Sequence, residues 1–484
     1  MNESNDTKHV GKNSIKPLPP CSPGEVCDFK IIDLNHRGEG VGRISGFTVF
    51  VPGALPGETV RVKIIRNKKK YAEASLNELV NPSPERIPPP CPYFEICGGC
   101  QLQHLQYREQ LAWKQKMISE TLNRIAGLSA NVLPAIGMTE PWHYRNKTRV
   151  HFAYAEGEVL AGFYKPQTNE LIDIDQCPVQ HPLTVRAING LRSAVQRYMD
   201  NIKDRKESWL PISEATIRTS FANSECLVSL FANPGQDGKG NRQDIKPEHY
   251  EKLAQIINEE SGNVITDLVL LQHGKKDTTS RTLSGEAHIT EEIKPYLYRI
   301  SPQSFFQVNT YQAEVLYKKA VSLAGNPRTA YDLYCGTGNF SLYLSLVAGQ
   351  VVGIDSAKTA IEDARENAAL NSIDNVEFVV EKAENIRPDL FKGEKPLTVF
   401  LNPPRRGCAA SLLETVAEAA PERIVYISCN PATLARDLKQ LSNHDYKVKV
   451  VQPVDMFPQT SHVESVCLLE AHEVHRDGGI VLEK

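Results

Sequence analysis

The sequence predicts a multidomain α/β protein. It has a small N-terminal β-barrel, a central α+β region and a C-terminal, mostly parallel sheet. Short alternating strands broken by Gly and Pro come first, a dense cysteine cluster follows, and strands alternate with helices from about residue 301. The 484 residues, 41% of them hydrophobic and 23% charged, are enough for about two to four globular domains.

The N-terminal region divides into a tail, a barrel and a linker. Residues 1–23 are polar and rich in Asn, Ser, Lys and Pro, which predicts a flexible tail. Over residues 24–82, short alternating segments are separated by Gly and Pro, as in a small β-barrel. Six cations within residues 61–70, beside Tyr71, favour nucleic-acid contact over a merely solvated hairpin tip. Five prolines in residues 81–90 predict a stiff extended linker.

Charge and composition exclude several classes of protein. The 55 Lys and Arg residues against 58 Asp and Glu give a net charge of -3, so a strongly basic nucleic-acid coat is excluded, although a local basic patch is not. The sequence contains no run of 18 or more apolar residues, no signal-peptide pattern and no lipidation motif. We therefore expect a cytoplasmic protein without a membrane partner, in which the eleven cysteines form no disulfide framework.

A cluster of cysteines indicates a metal site. Cys91, Cys97 and Cys100 lie in CPYFEICGGC, and the two glycines allow the backbone to fold tightly around an ion or cluster. Three thiolates need a fourth ligand, and Cys177 is the best candidate because it is followed by proline, as Cys91 is. The spacing suits zinc and an iron–sulfur cluster about equally, and His181 is an alternative ligand for zinc.

The remaining elements follow from apolar periodicity. Helices are predicted at residues 102–126, 246–260, 340–348, 357–371, 410–419 and 431–441. Strands are predicted at residues 266–272, 329–336, 350–355, 375–381, 397–404, 423–431 and 464–473. The alternation after residue 301 predicts a doubly wound sheet, which binds ligands at the carboxyl ends of its strands.

One loop at this edge has the features of a nucleoside-binding site. In DLYCGTGNF, Gly336 and Gly338 permit close approach of the backbone to a ligand. The next strand ends in Asp355, an acid suited to two ribose hydroxyls. A dinucleotide site would have a third glycine where this chain has Ser341, so the D-x-x-C-G-x-G pattern favours S-adenosylmethionine instead.

Two further strand ends carry reactive side chains. Cys429, in ISCNP, ends a buried strand and precedes a helix, so we expect a lowered pKa and a nucleophilic thiolate. In NPPRRG, Asn402 can hydrogen-bond a cofactor or a base, and Arg405 and Arg406 suit phosphates or a fork-shaped polar contact. Glu464 begins the last strand and is a candidate base.

The motifs together resemble the RNA (uracil-5-)-methyltransferase family. CPYFEICGGCQLQHLQY, SPQSFFQVN, DLYCGTGNF, NPPRRG, SCNP and MFPQTSHVES match in order over nearly the whole chain. The resemblance implies an OB-like, RNA-binding TRAM barrel at residues 24–82 and a Rossmann-like S-adenosylmethionine-dependent methyltransferase domain at residues 301–484. Between them it implies a central domain, residues 83–300, with a [4Fe–4S] cluster on the four cysteines. Residues 102–128 are expected to pack on the catalytic domain.

The same resemblance assigns roles to individual residues. It implies cofactor contacts at Gln307, Tyr334, Asn339, Asp355 and Asn402, a nucleophile at Cys429, a base at Glu464 and a base-stacking aromatic ring at Phe305. Many members carry Asp where this chain has Asn402, and Asp is common where it has Lys382. In the implied reaction the thiolate adds to carbon 6 of a flipped-out uracil, which makes carbon 5 nucleophilic toward the methyl group.

Three hypotheses follow from the sequence. The leading one is formation of 5-methyluridine in RNA, with 23S ribosomal RNA favoured by the SPQSFFQVN and NPPRRG forms and transfer RNA as the second choice. A non-catalytic RNA-binding protein is the next, but it predicts loss of Cys429 or Glu464, and both are present. The third is a redox sensor in which the cysteine cluster switches RNA binding.

Overall fold

A computed structural model describes residues 20–201, 210–233, 235–236, 242–243, 247–273, 278–391 and 393–472. The chain divides into two compact units, with the boundary between Arg86 and Ile87. None of the helices in these ranges is long and apolar enough to cross a membrane.

The first unit is a closed five-stranded barrel with strand order β1-β2-β3-β5-β4. Its strands are β1 (Val26–Leu34), β2 (Gly40–Ile44), β3 (Phe47–Val51), β4 (Thr59–Asn67) and β5 (Tyr71–Asn81). Alternate residues face a small aliphatic core that includes Ile31, Val49 and Val62. The linker begins on the barrel itself, because the Arg86 guanidinium donates to the buried Glu58 carboxylate at 2.6 Å.

The second unit contains two seven-stranded sheets. The first has strand order β14-β13-β10-β9-β6-β7-β8 and carries helices α2 and α3 on one face. Its elements are β6 (Lys147–Ala155), β7 (Glu158–Tyr164), β8 (Leu171–Asp173), α2 (Pro182–Asp200), β9 (Ile212–Thr219), β10 (Cys226–Ala232), α3 (Pro247–Glu260), β13 (Asp267–His273) and β14 (Thr278–Ser284). Two small hairpins accompany it, β11 (Gly235–Gln236) with β12 (Arg242–Gln243), and β15 (Ile289–Ile293) with β16 (Tyr296–Ile300).

The second sheet has the order β19-β18-β17-β20-β21-β23-β22. Strands β17 to β21 are parallel to one another, and β23 runs antiparallel between β21 and β22. Its elements are α4 (Thr310–Leu323), β17 (Thr329–Leu333), α5 (Asn339–Leu344), β18 (Gln350–Asp355), α6 (Lys358–Leu370), β19 (Val376–Val380), β20 (Leu397–Leu401), α7 (Ala410–Glu418), β21 (Arg423–Ser428), α8 (Pro431–Ser442), β22 (Tyr446–Val454) and β23 (Glu464–Ala471). The predicted doubly wound architecture is confirmed, and β22 is an additional strand at the sheet edge.

Helix α1 (Tyr107–Thr121) begins five residues later than the apolar pattern predicts, and it continues into a π-helical turn (Leu122–Ala126). The segment before the helix is not helical, because the backbone amides of Gln101 and Leu102 both donate to the Gln459 carbonyl at 3.0 Å. Side chains of the helix and its turn lie in the same apolar core as strands β17 and β20. The segment that follows the cysteine cluster therefore packs on the C-terminal sheet.

Candidate active site

The glycine loop leaves β17 through three residues with positive φ. Tyr334 has φ 66°, Gly336 has φ 56° and Gly338 has φ 74°. At Gly338 a Cβ atom would lie 2.8 Å from the Phe378 ring and 2.9 Å from Ala364, so glycine is required by both the backbone conformation and the close packing. The loop therefore approaches the sheet edge more closely than a side chain would allow.

Asp355 ends the neighbouring strand and fixes this loop. Its carboxylate accepts the Gly336 amide at 3.0 Å and the Ala357 amide at 2.9 Å. Asp332, at the fourth position of β17, is fully buried. One of its carboxylate oxygens accepts the Ser341 hydroxyl at 2.6 Å, and the other has no hydrogen-bond partner among the described residues. Burial raises the pKa of Asp332 to about 7, with a further contribution from the charge of Asp355.

The segment that carries SPQSFFQVN reaches the same edge. The Thr337 hydroxyl donates to the Phe305 carbonyl at 3.2 Å and lies the same distance from the Asn339 amide oxygen. Gln307 is buried, and its carbonyl accepts the Asn146 side chain at 3.0 Å. The Phe305 ring, in contrast, is 65% exposed. A large aromatic ring is thus presented to solvent beside the glycine loop.

Asn402 and Tyr334 are the last two of the five residues that the family resemblance predicts as cofactor contacts. The Asn402 amide donates to the Leu333 carbonyl at 3.3 Å, which places NPPRRG beside the start of the glycine loop. The Tyr334 hydroxyl donates to Glu384 at 3.4 Å. All five residues predicted to contact the cofactor therefore lie in segments that meet at one edge of the sheet.

Cys429 lies at this edge, between β21 and α8. Asn430 caps α8 by accepting the Ala432 amide at 3.1 Å, and its side-chain nitrogen donates to the Arg405 carbonyl at 3.0 Å. The Thr433 hydroxyl donates to the same carbonyl at 3.2 Å. The residues that follow the thiol thus hold the NPPRRG loop in place, and the Arg405 side chain lies close enough to the Cys429 sulfur to lower its pKa.

The expected low pKa of Cys429 is wrong. Burial raises its pKa to about 11, the charge of Glu464 adds to this, and Arg405 opposes both. The position next to a helix N-terminus does not compensate for removal from water. Burial likewise raises the pKa of Glu464 to about 8, against the lowering effect of Arg405. Arg405 thus faces both reactive groups, a role that the sequence indicated only as a general polar contact.

A buried polar network holds the loop that leads to Glu464. Asp455 is fully buried and accepts the Lys114 ammonium at 2.6 Å and the Tyr107 hydroxyl at 2.9 Å. On the same helix, the Gln110 side-chain amide donates to the Gln459 side-chain oxygen at 3.0 Å and accepts the Gln459 backbone amide at 3.1 Å. The apolar spacing of α1 gave no signal for this network, because its polar residues pair with positions more than 300 residues away.

The four predicted metal ligands lie within electrostatic range of one another. Burial raises the pKa of Cys100 to about 12 and of Cys177 to about 11, and charges on the other cluster thiols contribute to both shifts. The Gly99 amide donates to the Cys97 sulfur at 3.4 Å, and Cys91 adds to the electrostatic shifts. All four are free thiols. In the part of the chain that the structure describes, no group of three or more His, Cys, Asp or Glu residues is placed as ligands of one metal ion.

On the barrel, part of the predicted basic patch is neutralised. Arg61 bonds to Asp28 at 2.9 Å and to Glu78 at 2.5 Å, and Arg66 bonds to Glu73 at 2.5 Å. The three lysines 68–70 form the hairpin tip between β4 and β5.

The fold and this edge of the C-terminal sheet define an S-adenosylmethionine-dependent methyltransferase. The family model described as tRNA (uracil-5-)-methyltransferase matches residues 106–472, and the TRAM domain model matches residues 22–76. The chain belongs to the tRNA (uracil-5-)-methyltransferase family, and its activity is methylation of RNA at carbon 5 of uracil. The prediction of a TRAM barrel joined to a methyltransferase fold is confirmed.

Relatives and solved structures agree over nearly the full length. The chain is 38% identical over 457 residues to an uncharacterised RNA methyltransferase of Clostridium tetani, covering 93% of this chain and 97% of that protein. It is also 38% identical over 463 residues to one from Halalkalibacterium halodurans, covering 94% and 99%. The crystal structure of Pyrococcus abyssi tRNA (uracil-54, C5)-methyltransferase with S-adenosyl-L-homocysteine superposes with a TM-score of 0.70 at 29% identity, covering 92% of this chain and all of that one.

Proposed function

We propose that the protein forms 5-methyluridine in 23S ribosomal RNA through a covalent adduct between Cys429 and carbon 6 of the target uracil. The observation that carries this proposal is the joint placement of Cys429, Arg405 and Glu464 at the edge of the sheet, where Glu464 raises the pKa of Cys429 and Arg405 lowers the pKa of both. The exposed Phe305 ring provides a surface on which a flipped-out base can stack.

The first step needs a thiolate, so the Cys429 thiol must first release its proton to water. A thiol with a pKa of about 11 is almost entirely protonated at neutral pH, so the protein must stabilise the anion when the substrate is in place. The Arg405 guanidinium, whose charge lowers the pKa of the thiol, is the cation that does so. Addition of the sulfur to carbon 6 moves the electron pair of the carbon 5–carbon 6 double bond onto the ring carbonyl at carbon 4.

Carbon 5 is then nucleophilic. When bound, S-adenosylmethionine supplies the electrophilic methyl group, which carbon 5 accepts. Glu464, as the carboxylate, takes the remaining proton from carbon 5, and the electron pair re-forms the double bond as the carbon 6–sulfur bond breaks. Gln307, Tyr334, Asn339, Asp355 and Asn402 are proposed to hold the methyl donor, since their segments converge on the glycine loop.

The covalent step predicts different results for two variants. Cys429→Ala abolishes methylation, while Cys27→Ala, a matched change in the barrel, retains it. Glu464→Gln allows addition and methyl transfer but not elimination, so a protein–RNA band survives on a denaturing gel. Retained activity in Cys429→Ala, or the absence of this band with an RNA that wild type methylates, would contradict the mechanism.

Two RNAs are candidate substrates. SPQSFFQVN and NPPRRG resemble the ribosomal-RNA branch, which supports 23S ribosomal RNA. The neighbour from Pyrococcus abyssi acts on transfer RNA, which favours that alternative. Unmodified transcripts of both RNAs, incubated with labelled S-adenosylmethionine and digested to nucleosides, decide between them. Label in 5-methyluridine from transfer RNA alone refutes the ribosomal assignment.

The four cysteines are proposed to hold a [4Fe–4S] cluster, with zinc as the alternative. Their sulfur donors suit either group, and they converge without forming disulfides. The cluster takes no part in the steps above, which involve other residues. The test is to measure iron and acid-labile sulfide in anaerobically purified protein. Wild type and Cys27→Ser should contain both, and Cys177→Ser should lose both. Colourless wild type containing zinc overturns the proposal.

A further inference from the structure

One face of the central sheet carries a row of cations. In the antiparallel pair of β6 and β9, Lys147 lies opposite Arg218. Because side chains alternate along a strand, Arg149 shares the face of Lys147, whereas Thr148 and Val150 are buried on the opposite side. The row thus lies on the sheet face away from helices α2 and α3.

Within this row, Lys147 is not neutralised. Arg145 continues the row and donates to the Lys147 carbonyl at 3.0 Å. Arg149 pairs with Glu214 at 3.1 Å, but Lys147 has no ion-pair partner within the described ranges. Burial lowers the pKa of Lys147 to about 8, and the charges of Arg218, Arg149 and Arg145 lower it further in that order. A half-buried ammonium surrounded by three guanidinium groups favours an anion beside it.

Arg218, opposite Lys147 on β9, is the buried member of this row. It is fully buried, and its Nη2 donates to the Ser304 carbonyl at 2.8 Å, directly before Phe305. Its Nη1 is buried without a hydrogen-bond partner among the described residues. Glu291 is the acid whose charge acts on Arg218. Burial raises the pKa of the Glu291 carboxyl, so its negative charge offsets the guanidinium less. The same side chain therefore adds positive charge to the face and holds the segment that presents the Phe305 ring.

The row extends toward the reactive thiol. Burial lowers the pKa of His462, and the charges of Arg405 and Arg145 are among the further causes. His462 therefore lies within electrostatic range of both the cation at Cys429 and the first cation of the row. The first cation of the row therefore lies on the side of the sheet that leads to the reaction site.

An exposed aromatic ring lies at the other end of the row of cations. Tyr164 is 41% exposed and stacks on His151 with ring centroids 4.4 Å apart. His151 lies two residues beyond Arg149 on the same face of β6. Cations that follow one another beside an exposed ring are the combination that binds single-stranded nucleic acid, the cations at phosphates and the ring at a base.

We propose that Lys147, flanked by Arg145 and Arg149, binds a backbone phosphate of the RNA strand next to the uridine that stacks on Phe305. The ligand is a phosphodiester, whose single negative charge matches the unpaired ammonium. This inference rests on the proposed function, because it assigns a phosphate contact to the same RNA substrate. The contact positions the strand and does not take part in the chemistry.

Binding measurements on the full-length protein test the proposal without requiring methylation. The probe is fluorescent dodecauridylate, titrated at several salt concentrations with Lys147→Met. Losing one phosphate contact lowers the slope of log Kd against log salt by about 0.7 and weakens binding about fivefold at about 0.1 M salt. Lys395→Met, at an exposed position before the amino end of β20, is the matched control and leaves the slope unchanged.

Two further variants keep the result interpretable. Lys147→Arg retains the charge and the wild-type slope. Arg149→Met removes a half-exposed cation that is already paired with Glu214, so it lowers the slope less than Lys147→Met does. If Lys147→Met behaves like Lys395→Met, the phosphate site is refuted. A lowered slope in a protein that forms no 5-methyluridine supports the phosphate site and refutes the proposed function instead.

Discussion

The buried carboxyl of Glu464 gives a quantitative test of the site through protein stability. In the folded protein its pKa is about 8, compared with an ordinary value of 4.5. Between these pH values the folded state retains a proton that the unfolded chain has lost, so stability falls as pH rises. At about 1.4 kcal/mol for each pH unit, this interval corresponds to about 5 kcal/mol as an upper bound.

Glu464→Gln removes this dependence because glutamine remains neutral. The variant and wild type should be about equally stable near pH 4.5, and the variant should be more stable above pH 8, by up to about 5 kcal/mol. Urea unfolding followed by tryptophan fluorescence measures the difference, since all three tryptophans lie after residue 86 and report on the second unit.

The control for this experiment is Glu414→Gln, at an exposed position on α7. It should retain the wild-type dependence on pH, because it leaves Glu464 in place. If Glu464→Gln and wild type lose stability in parallel between pH 5 and pH 9, burial does not hold Glu464 in its protonated form, and the reasoning is wrong.

Three further predictions concern the same edge of the sheet. Because Glu464 must be ionised to take the proton from carbon 5, decay of the methylated protein–RNA adduct, followed on denaturing gels, should speed up about tenfold per pH unit below pH 8 and then level off. Arg405→Met should slow alkylation of Cys429 by iodoacetamide about tenfold, measured by peptide mass spectrometry, since losing the nearby positive charge raises the thiol pKa by about one unit; an unchanged rate contradicts the role of the arginine. Lys114→Met should destabilise the second unit by about 3–5 kcal/mol in urea, because it leaves Asp455 buried without its cation, and Lys114→Met/Asp455→Leu should recover part of that loss.

Local sequence patterns predicted much of the fold. The strand–helix alternation after residue 301 placed six strands and four helices of the C-terminal sheet correctly, because buried strands and amphipathic helices have distinct apolar periods. Strand β22 was missed because Pro453 and alternating lysines obscure its pattern. Both features are tolerated there because β22 is an edge strand.

Motifs at strand ends likewise predicted where the site lies. The carboxyl ends of parallel strands meet at one edge, so a glycine loop, Asp355 and Cys429 that each follow a strand must converge there. The sequence by itself determined this convergence, since it requires only the order of strands along the chain and their direction.

Only the tertiary structure decided how these groups ionise and what holds them. The raised pKa of Cys429 comes from burial and from Glu464, a residue 35 positions further along the chain. The Lys114–Asp455 pair and the cations around Lys147 likewise join residues that are distant in sequence. Desolvation and charge–charge interaction depend on distance and burial in space, and neither quantity is present in a local pattern of residues.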